Sequence, residues 1–149
     1  MARPPVVVTP EQRAPALELV GERLTVLVDR EQTNGYEVFL QEGVEGSGAP
    51  LHHHDWDEAF FVIDGAVDFG VAEREMTATA GTLVHLPGGT PHWFRFCAGG
   101  GRMLSLTGVG SGAAAFFRAV AGAIPDGQLD LDKLAAVADR HEVHFAPPA

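Results

Sequence analysis

Glycine and proline interrupt this chain so often that long helices are excluded from most of it. The 149 residues include 18 glycines and 10 prolines. Turn signals recur roughly every 6 to 12 residues and separate short segments rich in β-branched and aromatic side chains. This pattern predicts roughly nine or ten short strands in a sandwich or a barrel, and hence an all-β fold.

The turn signals bound the predicted strands. Asp64-Gly65 predicts a two-residue hairpin turn, so that residues 66–71 would return antiparallel to residues 57–63. Residues 98–101 predict a glycine turn between two strands, and Asn34-Gly35 predicts a turn within the polar segment 29–35. The predicted strands cover residues 6–8, 16–20, 24–28, 36–41, 57–63, 66–71, 76–80, 82–86, 92–97 and 103–107, with a loop over 43–50.

The character of the sequence changes after Gly112. Residues 113–123 are rich in alanine, and Asp130 is a candidate N-cap for a second segment with apolar residues at helical spacing. We therefore expect one domain over residues 1–149, with a barrel over about 16–108 and a helical tail over 112–149. The tail should cover a sheet face or the barrel rim and bury Phe116, Phe117, Val120, Leu131, Leu134 and Val137.

Charge and cysteine content narrow the class of function. The chain has 10 basic and 20 acidic residues, for a formal net charge of −10. Such a surface repels phosphate backbones and anionic membranes, so we expect neither nucleic acid nor membrane as a partner. The single cysteine, Cys97, allows no internal disulfide, and no apolar run resembles a membrane span or a signal peptide. A cytoplasmic protein is expected.

The segment from His52 to Glu58 carries the clearest chemical signal. Successive strand residues point to opposite faces, so His52 and His54 share one face and His53 points away. Glu58 has the same parity, and His92 follows a Pro-Gly turn at the start of an apolar strand. Imidazole and carboxylate together suit transition metals, so this spacing predicts a metal site.

Two short motifs surround these candidate ligands. The first is glycine, five residues, His-x-His, a glutamate after three residues and a glycine after six more. The second is glycine, five residues, Pro-x-Gly and a histidine after two residues. The first motif is met by Gly46, His52, His54, Glu58 and Gly65, and the second by Gly81, Pro87, Gly89 and His92.

These motifs resemble those of the cupin superfamily, and the chain is similar to a small single-domain cupin over residues 36–107. The resemblance implies a cupin jelly-roll β-barrel, here followed by two short C-terminal α-helices. It also implies that one divalent transition metal ion (Fe, Mn, Ni, Co, Cu or Zn) is held inside the barrel. Its ligands would be His52, His54, Glu58 and His92.

One position departs from the second motif, because Phe96 stands where cupins have asparagine. Parity places four apolar side chains on the same inner wall as the ligands, which predicts an apolar, aromatic substrate cavity. The alternative is that they fill the barrel as core. These four residues are Phe60, Val62, Phe94 and Phe96.

The resemblance extends to quercetin-type dioxygenases, which implies an oxygenase acting on a small aromatic or enolic molecule, with Glu58 as a proton acceptor. The first alternative is a non-redox, metal-dependent cyclase, isomerase or lyase of polyketide-type tailoring, in which the metal polarises a carbonyl. The second is a cupin that binds a small ligand without turnover. A homodimer is expected, because cupins commonly pair through sheet edges or faces.

Overall fold

The computed structural model describes residues 2–124, 128 and 130–146. Over these residues the chain forms nine antiparallel strands, three α-helices and one short 3-10 helix, Pro10–Gln12. The strands are β1 Leu17–Leu19, β2 Glu22–Val28, β3 Glu37–Gly43, β4 Gly48–His53, β5 Glu58–Val71, β6 Arg74–Thr79, β7 Leu83–Leu86, β8 His92–Thr107 and β9 His144–Phe145. The helices are α1 Arg30–Thr33, α2 Ala113–Gly122 and α3 Leu131–Arg140.

The two longest strands, β5 and β8, run through both halves of a curled sheet. One half of β8, residues 101–107, pairs with β3, and the other half pairs with β4. β5 pairs with β8 along most of its length, with β7 near its start and with β6 near its end. This antiparallel, two-sided arrangement is the predicted jelly-roll barrel.

Two predicted turns lie inside strands instead. Residues 66–71 do not fold back on 57–63; they extend β5 and pair with β6. Gly65 has φ +73°, and a Cβ there would lie 2.3 Å from the Gly100 carbonyl oxygen. Glycine therefore lets β5 bend against β8 at this point, where the register also shifts. Gly99, Gly100 and Gly101 serve the same bend from within β8.

Other boundaries also differ from the prediction. Residues 6–8 form no strand, and the polar segment 29–35 contains helix α1. Asp29 caps α1 by accepting from the backbone N–H groups of Glu31 and Gln32, and Asn34 ends it at φ 58°. The expected loop over 43–50 is already strand β4 from Gly48 onward. A capped single turn of helix cannot be told from a polar turn by its composition alone.

The apolar interior has two parts. One fills the barrel with side chains from β5 to β8, and the other lies where the helices meet β2 and β3. The first contains Phe60, Val62, Val67, Phe69, Ala78, Val84, Leu86, Phe94, Phe96 and Met103. The second contains Leu24, Phe39, Trp56, Ala113, Ala114, Phe116, Val120, Ile124, Val137, Ala138 and Val143.

The helical tail covers the rim of the barrel, but not every tail residue that was expected to be buried is buried. Phe116, Val120 and Val137 are buried, and Phe117 meets Phe39 edge-on with ring centroids 5.5 Å apart. Leu131 is instead 69% exposed. Phe117 and Leu134 are only partly buried. None of the helices in the described residues is long and apolar enough to cross a membrane.

A buried carboxylate joins the tail to the barrel. Glu37 on β3 is 1% exposed, and its Oε1 accepts from the Ser111 hydroxyl at 2.8 Å and from the Ala114 backbone N–H at 3.0 Å. Its Oε2 accepts from the Arg30 backbone N–H at 3.1 Å. The Ala114 and Arg30 amides lie in the first turns of α2 and α1, where donors lack helical partners.

We expect Glu37→Gln to destabilise the fold by about 2–4 kcal/mol, because an amide nitrogen would face backbone donors and the charge-assisted bonds would be lost. The measurement is urea unfolding at neutral pH. Glu42→Gln, on the same strand with its side chain on the outer face, is the matched control. Equal stability of the two variants would contradict the role of Glu37.

Candidate metal centre

Three histidine side chains converge inside the barrel. His52 is on β4, His54 follows the end of that strand, and His92 is the first residue of β8, directly opposite His52. One ligand nitrogen from each histidine lies within 4.8 Å of the other two. Ligands on an ion with bonds of about 2.1 Å lie roughly 3 to 4.2 Å apart, so the three imidazoles are positioned to bind a metal.

Backbone carbonyls orient all three rings. His52 Nδ1 lies 2.7 Å from the Pro50 carbonyl oxygen, His54 Nδ1 lies 3.1 Å from that of Trp56, and His92 Nδ1 lies 2.8 Å from that of Thr90. A carbonyl oxygen can only accept, so each Nδ1 carries the proton and each Nε2 presents a lone pair. This is the tautomer and orientation that a metal-ligating histidine requires.

The turn before His92 is held against the turn after His54. The Asp57 carboxylate accepts from the Gly88 backbone N–H at 2.8 Å, and the His54 carbonyl accepts from the Gly89 N–H at 2.7 Å. A Cβ at Gly88 would lie 2.2 Å from the Asp55 carbonyl oxygen. Glycine is therefore required for this contact, which fixes where β8 begins.

Glu58 lies beside two of the imidazoles. Its Oε2 is 2.8 Å from His54 Nε2 and 3.5 Å from His92 Nε2. Burial alone would raise the pKa of Glu58, but its close contacts with the His54 and His92 rings outweigh burial and lower that pKa to about 2. The group is therefore a carboxylate at neutral pH.

The donor set fits a cation. His92 Nε2 is buried and has no hydrogen-bond partner among the described residues. Burial, reinforced by repulsion from His92, lowers the pKa of His52 to about 4, so this ring is neutral at pH 7. Lone pairs and a carboxylate that converge in a buried space need a shared proton or a cation between them, and imidazole with carboxylate suits a divalent transition metal.

A cavity of about 580 Å³ has His52, His54 and Glu58 in its wall. Trp56 stacks on His54 with ring centroids 4.3 Å apart and also faces this space. The remaining wall is mostly apolar and comes from both the barrel and the tail. It includes Leu19, Phe60, Phe94, Phe116, Phe117, Val120, Leu134 and Phe145.

The four residues predicted to line the cavity divide into two pairs. Phe60 and Phe94 lie in its wall. Val62 and Phe96 do not; they are 0% and 1% exposed in the packed barrel core, where the Phe96 ring lies against Gly43. The expectation that Val62 and Phe96 line the substrate cavity is therefore corrected. Parity identified the inward face, but not how far along the barrel the space is filled.

The cavity wall also contains Glu22, Gln41 and Trp56, for which the sequence analysis predicts no function. Glu22 lies between the predicted strands 16–20 and 24–28, yet it shares parity with the buried Leu24, and Gln41 shares parity with the buried Phe39. That shared parity was the available signal. Polar residues on the apolar face of a strand mark positions where a side chain is buried for a reason other than packing.

Several other titratable side chains lie away from the three converging histidines. His53 stacks on His144 with ring centroids 4.9 Å apart, His85 is exposed on β7, and Asp55 is exposed. Cys97 is partly buried, and burial, reinforced by Asp68, raises the pKa of its thiol. A thiol with a raised pKa is a poor nucleophile at neutral pH.

Comparisons with known proteins agree with this fold. The family described as "Cupin domain" matches residues 39–106. Quercetin 2,3-dioxygenase of Bacillus subtilis (strain 168) is 30% identical over 92 residues, which cover 60% of this chain but only 27% of that protein. The chain thus spans about a quarter of the length of this relative.

Solved structures show the same architecture. An RmlC-like cupin from Shewanella frigidimarina superposes with a TM-score of 0.66 at 16% identity, covering 76% of this chain and 99% of that one. The polyketide cyclase RemF from Streptomyces resistomycificus superposes with a TM-score of 0.54 at 21% identity, covering 59% and 65%. These likenesses show that the chain has the cupin fold.

We expect His92→Ala to lower the affinity for metal at least tenfold while the fold is kept, because the core is built by other residues. Metal content is measured on protein purified without chelator, with circular dichroism as the fold check. His85→Ala removes an exposed imidazole and is the matched control. Unchanged metal content in His92→Ala would show that the ion is not held here.

Glu22 predicts that the stability of the protein depends on pH. Burial raises the pKa of its carboxyl from 4.5 to about 7, against a smaller opposing effect of its hydrogen bond from Gln41. The folded protein therefore holds this proton more tightly than the unfolded chain. The resulting stability is complete below about pH 4.5 and is lost as the pH rises through 7.

Wild type should therefore lose up to about 3 kcal/mol of stability relative to Glu22→Gln between pH 5 and 8, because the amide does not titrate. Urea unfolding of both proteins across this range measures the difference, in which effects of other groups cancel. Glu18→Gln, at an exposed glutamate on β1, should parallel wild type. Parallel curves for Glu22→Gln and wild type would contradict the shift.

Proposed function

We propose that this protein is a metal-dependent oxygenase acting on a small, largely apolar molecule with an enolic or phenolic hydroxyl. The observation that carries the proposal is the placement of His52, His54 and Glu58 in the wall of a cavity of about 580 Å³. A structural metal site is closed by its protein ligands, whereas this one faces a space that admits an organic molecule. The similarity to quercetin 2,3-dioxygenase supports an oxygenase over other classes.

In this proposal His52, His54 and His92 hold one divalent transition metal ion, and Glu58 completes the set. The ion would supply charge stabilisation for a deprotonated substrate oxygen and, if redox-active, activation of dioxygen. The carbonyl bonds to Nδ1 keep the three rings in place, so the protein is preorganised before substrate enters.

Glu58 is assigned the proton transfer. A carboxylate has two oxygens, so one can face the ion while the other accepts the proton of the substrate hydroxyl. The O–H bond breaks, the proton moves to Glu58, and the electron pair stays on the substrate oxygen. Dioxygen is the oxidant, and both of its atoms enter the product, so no separate reductant is needed.

The aromatic wall of the cavity would select the substrate. Trp56, Phe60 and Phe94 from the barrel and Phe116 from α2 present ring faces and edges to the bound molecule. Flat aromatic molecules gain both apolar burial and stacking against such a surface. A protein of net charge −10 also disfavours strongly anionic substrates.

We expect Glu58→Gln to reduce turnover about 100-fold or more at equal metal occupancy, because the amide is isosteric but cannot accept the proton. Dioxygen uptake by metal-loaded protein with a panel of flavonols and catechols is the measurement. Asp55→Asn, three residues earlier and exposed, should keep the wild-type rate. A wild-type rate in Glu58→Gln would remove the proton-transfer role.

The same assay separates the other classes of function. A zinc-loaded protein that converts the panel without dioxygen uptake would be a non-redox cyclase, isomerase or lyase, consistent with the shared fold of the polyketide cyclase RemF. A metal-loaded protein that binds these compounds and leaves them unchanged would be a binding module. Either result overturns the oxygenase proposal while leaving the metal centre intact.

A further inference from the structure

Two buried polar side chains lie in the cavity wall but take no part in the metal centre. Glu22 on β2 is 5% exposed, and Gln41 on β3 is 2% exposed. Gln41 Nε2 donates to Glu22 Oε1 at 2.5 Å, and both residues face the cavity together with His52 and His54. Burial of a polar pair in an otherwise apolar wall is costly unless something is gained from it.

One oxygen atom of each side chain in this pair is available to hydrogen-bond a ligand. Over the residues that the structure describes, Glu22 Oε2 and Gln41 Oε1 have no hydrogen-bond partner. Neither atom is among the fully enclosed polar atoms without partners, such as Trp56 Nε1 and His92 Nε2. Both oxygens are therefore reached from the cavity, where a ligand group can meet them.

The pair is well separated from the imidazoles. Glu58 and Glu37 both pair with Thr107 and so lie at one level of the sheet, while Gln41 lies four residues farther along β3. At about 3.3 Å per residue the two levels are about 13 Å apart along the strands. The cavity thus has one polar point at the metal centre and another some distance from it.

The surroundings define the chemistry of the second point. Burial raises the pKa of Glu22 to about 7, so near neutral pH a protonated, donating form is available as well as an accepting carboxylate. Gln41 supplies a carbonyl acceptor. A carboxylate or phosphate on the ligand would be repelled by ionised Glu22, so a neutral group fits best. Between the two points the wall is aromatic.

We propose that Glu22 and Gln41 are a second recognition point that binds a neutral hydroxyl or carbonyl group at the end of the ligand remote from the metal centre. The inference rests on the proposed function and narrows its substrate class. The substrate is then an extended aromatic molecule with oxygen groups at both ends, rather than a simple catechol.

The test compares two probes, 2-naphthol and 2,6-dihydroxynaphthalene, which differ only in the remote hydroxyl. Calorimetry on wild type should show the diol binding about three- to tenfold more tightly than 2-naphthol. In Glu22→Leu and Gln41→Leu this preference should fall to about twofold or less, the value expected from the symmetry of the diol. Affinity for 2-naphthol should change little, and Glu22→Gln should retain most of the preference.

Glu42→Gln, with its side chain on the outer face of β3, is the control and should behave as wild type. The same preference in wild type and both leucine variants overturns the inference, as does failure of both probes to bind. A crystal structure of the wild-type protein with the bound diol tests the second recognition point without any substitution. A remote oxygen beyond hydrogen-bond distance of both Glu22 and Gln41 also overturns it.

Each titration is run on metal-loaded and metal-free protein, which separates this inference from the proposed function. Binding that needs the metal but ignores the remote hydroxyl rejects the second recognition point and leaves the metal-dependent function standing. A diol preference that depends on Gln41 and is indifferent to metal supports the second point and rejects substrate binding at the metal centre.

Discussion

The pairing of β5 with β8 is the interaction on which the rest of the structure depends. The two strands stay in contact from Glu58 opposite Thr107 to Val71 opposite His92, across a bend at Gly65. The bend turns a flat ladder into two facing halves. It thereby brings His92, at one end of β8, to within 3.5 Å of Glu58, which pairs with the other end. The residues of the candidate metal centre meet because the barrel closes on itself at this ladder.

Local geometry made the ligands predictable. His52 and His54 share a face because strand side chains alternate, and no long-range information is needed for that. His92 was a candidate from its position after a Pro-Gly turn, and the paired motifs tied it to His52 and His54, since nothing local shows that β4 and β8 become neighbours. The bend at Gly65 was misread as a hairpin for a related reason. Asp-Gly fits a tight turn and a strand bend equally well, and the partner strand decides between them.

The contents of the cavity were less predictable than its ligands. Phe60 and Val62 have the same parity, yet Phe60 lines the cavity and Val62 is packed core. The difference is depth along the barrel, which depends on how much apolar volume the opposite strands supply. Glu22 and Gln41 show the converse problem. Each looked like an ordinary polar residue near a strand end, and only the closed barrel places them together in an enclosed wall.

The tail changes what the barrel can do. Without α2 the side of the cavity formed by Phe116, Phe117 and Val120 would be missing. Glu37 ties α2 to β3 through a buried carboxylate, so the cover is fixed at the same level of the sheet as Glu58. The apolar tail thus completes the wall that the candidate metal centre shares with the Glu22–Gln41 pair. A less polar surrounding strengthens the electrostatic contacts that such groups make.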